Sequence, residues 1–410
     1  MAEGVRIDSD RLWGSLMEMA EIGRTAKGGC NRQALTDLDR QGRDLFVDWC
    51  RQANCKVEID ELGNIFAQRA GRNPASAPVL IGSHLDTQPT GGRFDGVYGV
   101  LAGLEVLRTL DDHDIETEKP VEIVDWTNEE GSRFPTSMMG SEVWAGLMPA
   151  ESAYAEADVN GQTVLQELER IAYKGELPAR PKRLTAAFEL HIEQGPVLEA
   201  EEKTIGIVTG VQHMGRHSIK IEGQEAHAGP TPMSLRKDPM MAVAGFLPGL
   251  YAAVDQHAPE GRITFGVIEV KPGSINTVPG HLMMTVDIRH PDSDAYRDLV
   301  ARLNEIVTQE CAALGLPVVV DSFWESPAVM FDKDCIAAVR GAVDKLGYTG
   351  REIVSGAGHD SCNVSKVAPT SMIFIPCKGG LSHNEAEDVF PADVEAGANV
   401  LLHAVLERAG

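Results

Sequence analysis

Three nearly uninterrupted apolar runs, "PVLIGSHLD", "VEIVDWTNEE" and "AAFELHIEQG", each end in a cluster of His, Asp or Glu. Runs this apolar suit strands buried on both faces, and a helical stretch, "GVYGVLAGLEVLRTLDD", separates the first two. Strands alternating with helices predict an α/β fold: a mixed, largely parallel sheet covered by helices on both faces. Ligands gather at the carboxyl ends of such strands, where all three polar clusters fall. "SDRLWGSLMEMAEIG" has helical periodicity, with Asp8 or Ser9 as its N-cap, and "CKVEIDELGNIFAQRAG" has strand character.

The pattern changes after Gln212. "GRHSIKIEG", "RITFGVIEVKPG", "HLMMTVDIRH" and "PVVVDSFW" have strand character, and two helical stretches are interleaved with them. The first helix meets Pro248 late in its length, and the second carries an apolar stripe at Leu299, Leu303, Ile306, Val307 and Leu314. The order β-α-β-β-α-β is ferredoxin-like. From about Pro327 the α/β pattern returns. These readings predict a catalytic domain built from residues 1–212 and 327–410, with a ferredoxin-like α+β domain inserted at 213–326. A length of 410 residues fits that count.

A formal charge of −24 argues against binding to nucleic acid or to an anionic membrane, because phosphate recognition needs clustered Lys and Arg. No apolar stretch is long enough to span a bilayer, and the first residues have no secretory-signal character. Seven cysteines without a CxxC pair suit buried thiols in a reducing compartment. The expected location is cytoplasmic.

His84 and Asp86 lie two apart at a strand end, so their side chains leave on one face. They suit a metal ligand with its orienting carboxylate, or a polar strand end that caps a helix. "TNEEG" places Glu129 and Glu130 at the next strand end, where one could ligate and the other move protons; a solvated turn is equally compatible. His191 ends a third strand and His383 follows a fourth. Taken one at a time, these histidines are ordinary. Together with Asp95 they give five N/O donors at strand ends, a set suited to zinc, manganese, cobalt or nickel. One tetrahedral ion uses four donors, so a carboxylate bridging two ions would account for five.

"GSHLDTQPTGGRFDGVYGV", "NEEGSRF", "HIEQGPVLE", "GQEAHAGPTPM", "SINTVPG", "GAGHDS" and "SHNEAED" resemble, in order and context, the hydantoinase/carbamoylase family of two-metal amidases. The resemblance runs from about Arg6 to the C-terminus. It implies two divalent ions per chain, with Asp95 bridging, His84 and His191 completing one site, and Glu130 and His383 the other. Glu129 would be the general base and Asp86 the partner of His84. His227 would stabilise the oxyanion and Asn276 would bind substrate, both reaching across a homodimer formed by the inserted lid domain. Arg289 would bind a substrate carboxylate. Gln194 and the "GAGHD" loop, including Ala357 and Gly358, would add substrate contacts. A cis peptide after Asp95 is also implied.

The implied reaction is hydrolysis of the carbamoyl (ureido) C–N bond of a small N-carbamoyl amino acid, releasing amino acid, carbon dioxide and ammonia. The "DTQPTGG" wording points to N-carbamoyl-β-alanine as the leading candidate, with N-carbamoyl-L-amino acids beside it. Allantoate hydrolysis is the runner-up, followed by N-acyl amidase or peptidase activity, and by a metal-dependent binding protein without turnover.

Overall fold

The strands Val121–Trp126, Val79–His84, Ala186–Ile192 and Thr370–Ile375 lie side by side in that order, parallel and buried at every residue. This computed structural model describes residues 4–410. Antiparallel strands flank the parallel centre, Ile65–Arg69 on one side and Ile205–Val211 on the other. The stretch read as one strand near Cys55 is a hairpin of Lys56–Ile59 and Ile65–Arg69. Gly63, at φ 80°, turns the chain there.

Alternation along the strands sends Leu80, Val124, Trp126 and Ala187 into a cluster with Phe66, Trp144 and Val364. Helices Ser9–Glu21, Val97–Asp112, Lys333–Leu346 and Pro391–Ala409 pack against one another and on the strands. The first of these is capped by the Asp8 side chain, which accepts the Arg11 N–H.

Two compact units make up the chain. One is the chain up to Gly210 together with Met330–Gly410; the other is Val211–Val329. Within the second unit the strands run in the order Ile268–Lys271, His281–His290, His213–Glu222, Val318–Ser326, with every neighbouring pair antiparallel. Helices Pro239–Asp255 and Ser293–Ala313 complete the ferredoxin-like arrangement. The core of this unit includes Ile219, Ile221, Phe246, Leu250, Leu299, Leu303 and Val307. Leu314 lies outside that stripe, exposed at the end of its helix. Pro248 does not break the first helix. It sits on the exposed face beside Ala244, where water can take the carbonyl that a missing N–H leaves without a donor.

Candidate metal centre

Each parallel strand delivers its donors from its carboxyl end or the loop beyond. His84 is the last residue of Val79–His84. Its Nδ1 is 2.9 Å from the Asp86 backbone carbonyl. His191 lies within Ala186–Ile192, with Nδ1 2.9 Å from the Ile192 carbonyl. Both rings are thereby held with Nδ1–H donating and Nε2 turned inward.

The two Nε2 atoms approach the same oxygen. Asp95 Oδ1 lies 3.7 Å from His84 Nε2 and 3.1 Å from His191 Nε2. Asp95 Oδ2 faces the other way, 3.5 Å from His383 Nε2. Glu130 Oε2 is 3.4 Å from that same nitrogen. The donors fall into two groups, His84–Asp95–His191 and Asp95–Glu130–His383, each with its ligand atoms within 4.8 Å of one another. Asp95 belongs to both, presenting one oxygen to each.

Glycines admit these side chains. Gly96, at φ 68°, lies so near His84 that an added Cβ would be 2.3 Å from the ring. At Gly92 an added Cβ would be 1.9 Å from the Glu387 carboxyl carbon. The Asp95–Gly96 peptide is not cis: the cis bonds among the described residues are Ala258–Pro259 and Lys271–Pro272. The tight bend comes instead from the left-handed Gly96, whose N–H points at His191 Nε2, 3.1 Å away. Gln194 (φ 58°) and His383 (φ 53°) also take left-handed conformations, a form of local strain common at functional sites.

Asp86 has a different task from the one expected. Its carboxylate is 3.9 Å from His84 Nδ1, beyond hydrogen-bond range, and it accepts the backbone N–H groups of Glu129 (3.1 Å) and Glu130 (3.2 Å). This orients two consecutive glutamates. Glu129 is buried, with Oε2 3.5 Å from His84 Nε2.

Sequence reasoning missed Glu387. One of its oxygens accepts the backbone N–H of Phe94 (3.0 Å) and Asp95 (3.1 Å). The other is 3.1 Å from the hydroxyl of Ser382, which is 2.7 Å from Asp95 Oδ2. It is an acid within the "SHNEAED" stretch, and that was its signal. His359 belongs to the "GAGHD" loop expected to contact substrate, but its place beside His191 was not foreseen. It packs edge-on against His191, ring centroids 4.7 Å apart, with Nε2 3.0 Å from Ser355 Oγ.

Burial, then the charges of Asp360, Glu130, Asp86 and Asp95, push the Glu129 carboxyl well above the usual carboxylate range. Glu130 is raised by burial and by Asp95 and Asp86. Burial lowers His84 to about 4. Burial would raise Asp95, but its hydrogen bond and charge interaction with His191, together with His84 and His383, hold it far below its ordinary value. Burial would lower His191, yet Asp95 lifts it to about 9. The Gly96 N–H is aimed at Nε2, so it is the neutral form of His191 that offers a lone pair there, the form that can bind a cation. Buried acids facing open imidazole nitrogens suit a divalent cation in each group. The Gln194 side chain adds a buried oxygen, Oε1, without a hydrogen-bond partner in the protein, while its Nε2 donates to Asp95 Oδ2 (2.8 Å).

Ala357 and Gly358 lie between the strand Gly350–Ser355 and the short helix Asp360–Val364, and Ser355 Oγ takes the Ala357 N–H (3.1 Å). In the second unit, the strand Ala226–His227 pairs with Thr277–Val278, and the Ala228 N–H donates to the Asn276 carbonyl (2.9 Å). That pairing brings His227 and Asn276 together, both exposed. The Arg289 guanidinium is engaged by Asp287, Nε to Oδ1 at 2.6 Å and Nη2 to Oδ2 at 3.2 Å.

The fold and the site define an amide-hydrolysing enzyme. The chain belongs to peptidase family M20/M25/M40, which it matches over residues 80–407. It is 46% identical over 407 residues to a protein of Rhizobium meliloti named N-carbamoyl-L-amino-acid amidohydrolase, covering 99% of this chain and 98% of that one. It is 35% identical to the N-carbamoyl-L-amino acid amidohydrolase of Geobacillus stearothermophilus, covering 98% and 99% respectively. Among solved structures it is similar to an amidase of the hydantoinase/carbamoylase family from Burkholderia multivorans, with a TM-score of 0.96, 52% identity, and coverage of 99% and 98%.

Proposed function

We propose that this enzyme hydrolyses the carbamoyl C–N bond of N-carbamoyl amino acids, with N-carbamoyl-L-amino acids as the principal substrates. The observation that carries the reading is the Asp95 carboxylate, whose two oxygens face separate donor groups. The resemblance to proteins named for N-carbamoyl-L-amino acids moves the lead from N-carbamoyl-β-alanine to that class.

His84, Asp95 and His191 would hold one divalent ion, and Asp95, Glu130 and His383 a second, as zinc, manganese, cobalt or nickel. Such ions, when bound, polarise the ureido carbonyl and acidify the attacking water. Burial and neighbouring acids raise the Glu129 carboxyl, and a bound cation beside it would favour the ionised form that a base requires. Glu129 then takes the proton of the water and delivers it to the departing amine. Asp86 holds Glu129 in place through the backbone. Gln194 and the loop carrying Ala357 and Gly358 contact the ureido group, and Arg289 binds the carboxylate. The inserted unit forms a homodimer and acts as a lid, with His227 and Asn276 serving the partner's site. The seven buried free cysteines support a cytoplasmic setting, and no helix among the described residues is long and apolar enough to cross a membrane.

Ammonia release on a panel of N-carbamoyl-L-amino acids, N-carbamoyl-β-alanine, allantoate and an N-acyl amino acid tests the reading. The L-amino acid derivatives should lead. A clear preference for allantoate would reassign the substrate, and turnover of the N-acyl compound alone would overturn the carbamoyl reading.

A further inference from the structure

The two donor groups are held in different ways. In the first, backbone carbonyls fix both histidines, and no side chain is needed to orient them. In the second, the Glu130 carboxylate takes its hydrogen bonds from a single residue. Gln88 donates its backbone N–H to Oε1 (3.1 Å) and its side-chain Nε2 to Oε2 (2.7 Å). Oε2 is the oxygen that faces His383. A carboxylate only accepts hydrogen bonds, so the amide must present its nitrogen there.

Gln88 is itself rigidly placed. It lies in the loop between His84 and Asp95, and its carbonyl takes the Thr87 hydroxyl (3.0 Å) and the Gly91 N–H (3.3 Å). Thr87 in turn is tied to the buried Arg32, whose backbone N–H donates to the Thr87 hydroxyl (2.8 Å) and whose carbonyl takes the Thr87 N–H (3.0 Å). The amide therefore locks the Glu130 carboxylate to the same loop that carries Asp95.

We propose that Gln88 is a positioning residue for the second cation, its side-chain amide setting the Glu130 oxygen that completes the Asp95–Glu130–His383 group. The proposal rests on the two-ion reading above. Partners of this kind orient a ligand and strengthen its hold, and their loss costs roughly 10–100-fold in metal affinity. The effect is confined to one site, because Gln88 touches no donor of the His84–Asp95–His191 group.

The test titrates Mn2+ into metal-stripped, full-length protein and reads unbound Mn2+ by its paramagnetic resonance. The wild type should bind two equivalents. Gln88→Met removes the donor and keeps the length; it should leave one of the two constants within about twofold and weaken the other by roughly 10–100-fold. Gln88→Glu places a second carboxylate against Glu130 and should abolish one of the two sites, and the thermal midpoint of each variant reports that it is folded. Two unchanged constants in Gln88→Met would overturn the role of Gln88 while leaving the two-ion centre standing. A single equivalent in the wild type would remove the two-ion reading itself, and this proposal with it.

Discussion

The carboxylate of Asp86 accepts the backbone N–H of Glu129 at 3.1 Å, so a residue just beyond one parallel strand sets a side chain at the end of its neighbour. Its second oxygen takes the Glu130 N–H. Asp86→Asn replaces one of these acceptors with an amide that would face an N–H. Both glutamates should shift, and turnover should fall by about 10–100-fold, as for other groups that orient ligands. Steady-state kinetics of the variant check this; unchanged kcat would show that the backbone clamp is dispensable.

Glu129 and Glu130 should separate in their phenotypes. Glu129→Gln removes a proton acceptor, so turnover should drop by roughly 10²–10⁴-fold while both ions remain. Glu130→Gln should lose one equivalent of metal. Elemental analysis beside kinetics distinguishes the two, and exchanged phenotypes would mean that base and ligand have been assigned the wrong way round.

Arg289 should govern recognition of the substrate carboxylate. Losing a hydrogen bond to a charged group costs about 1.5–3 kcal/mol, so Arg289→Ala should lower kcat/KM by roughly 10–150-fold. Arg289→Lys should recover only part, because an ammonium cannot reproduce the planar fork. The carboxamide analogue of the best substrate is the control: if acid and carboxamide react equally well, Arg289 has no carboxylate to bind.

The crossed arrangement of subunits proposed above predicts complementation. His227→Ala and Glu129→Gln, each inactive alone, should regain activity when their subunits exchange, because a mixed dimer contains one site with both good residues. Exchange without recovery would place His227 outside the partner's site.

The cysteines predict a limit at alkaline pH. Burial raises Cys335, Cys362 and Cys377 from 9.0 to about 12. Between those values the folded chain keeps protons that the unfolded chain releases, so stability falls as pH rises through this window. At pH 10 each fully retained thiol proton costs about 1.4 kcal/mol. The thermal midpoint should decline from pH 9 upward, and Cys335→Ala should make that decline shallower. A parallel decline in the variant would exclude Cys335 as a contributor. Buried tyrosines such as Tyr98 act in the same direction at higher pH.

His84, Glu130, His191 and His383 could be read from the sequence because each ends or follows an apolar run, and such a run both buries a strand and marks where its polar end emerges. The ferredoxin-like unit was equally plain, since its strand and helix periods alternate cleanly. What stayed hidden were contacts between distant segments. Glu387 reaches the Asp95 N–H across 292 positions and Gln88 reaches Glu130 across 42, and neither leaves a local pattern. Asp86 is a related case. Its spacing from His84 suggested a partnership of side chains, but the tight turn gave that histidine the Asp86 carbonyl and freed the carboxylate for Glu129 and Glu130. The bend at Asp95 likewise depends on a left-handed glycine, a choice of backbone torsion that motif wording does not specify.

The strand Thr370–Ile375 lies between Ala186–Ile192 and Ile205–Val211, in the interior of the sheet. Its position gives folding an order in time. During synthesis the sheet has a gap through its middle until almost the whole chain has left the ribosome, and His383 emerges later still. The inserted unit contains all of its own strands and can close earlier. A nascent chain stopped before Thr370 would present two unpaired inner edges to its surroundings, the condition under which unfinished sheets pair with the wrong partner.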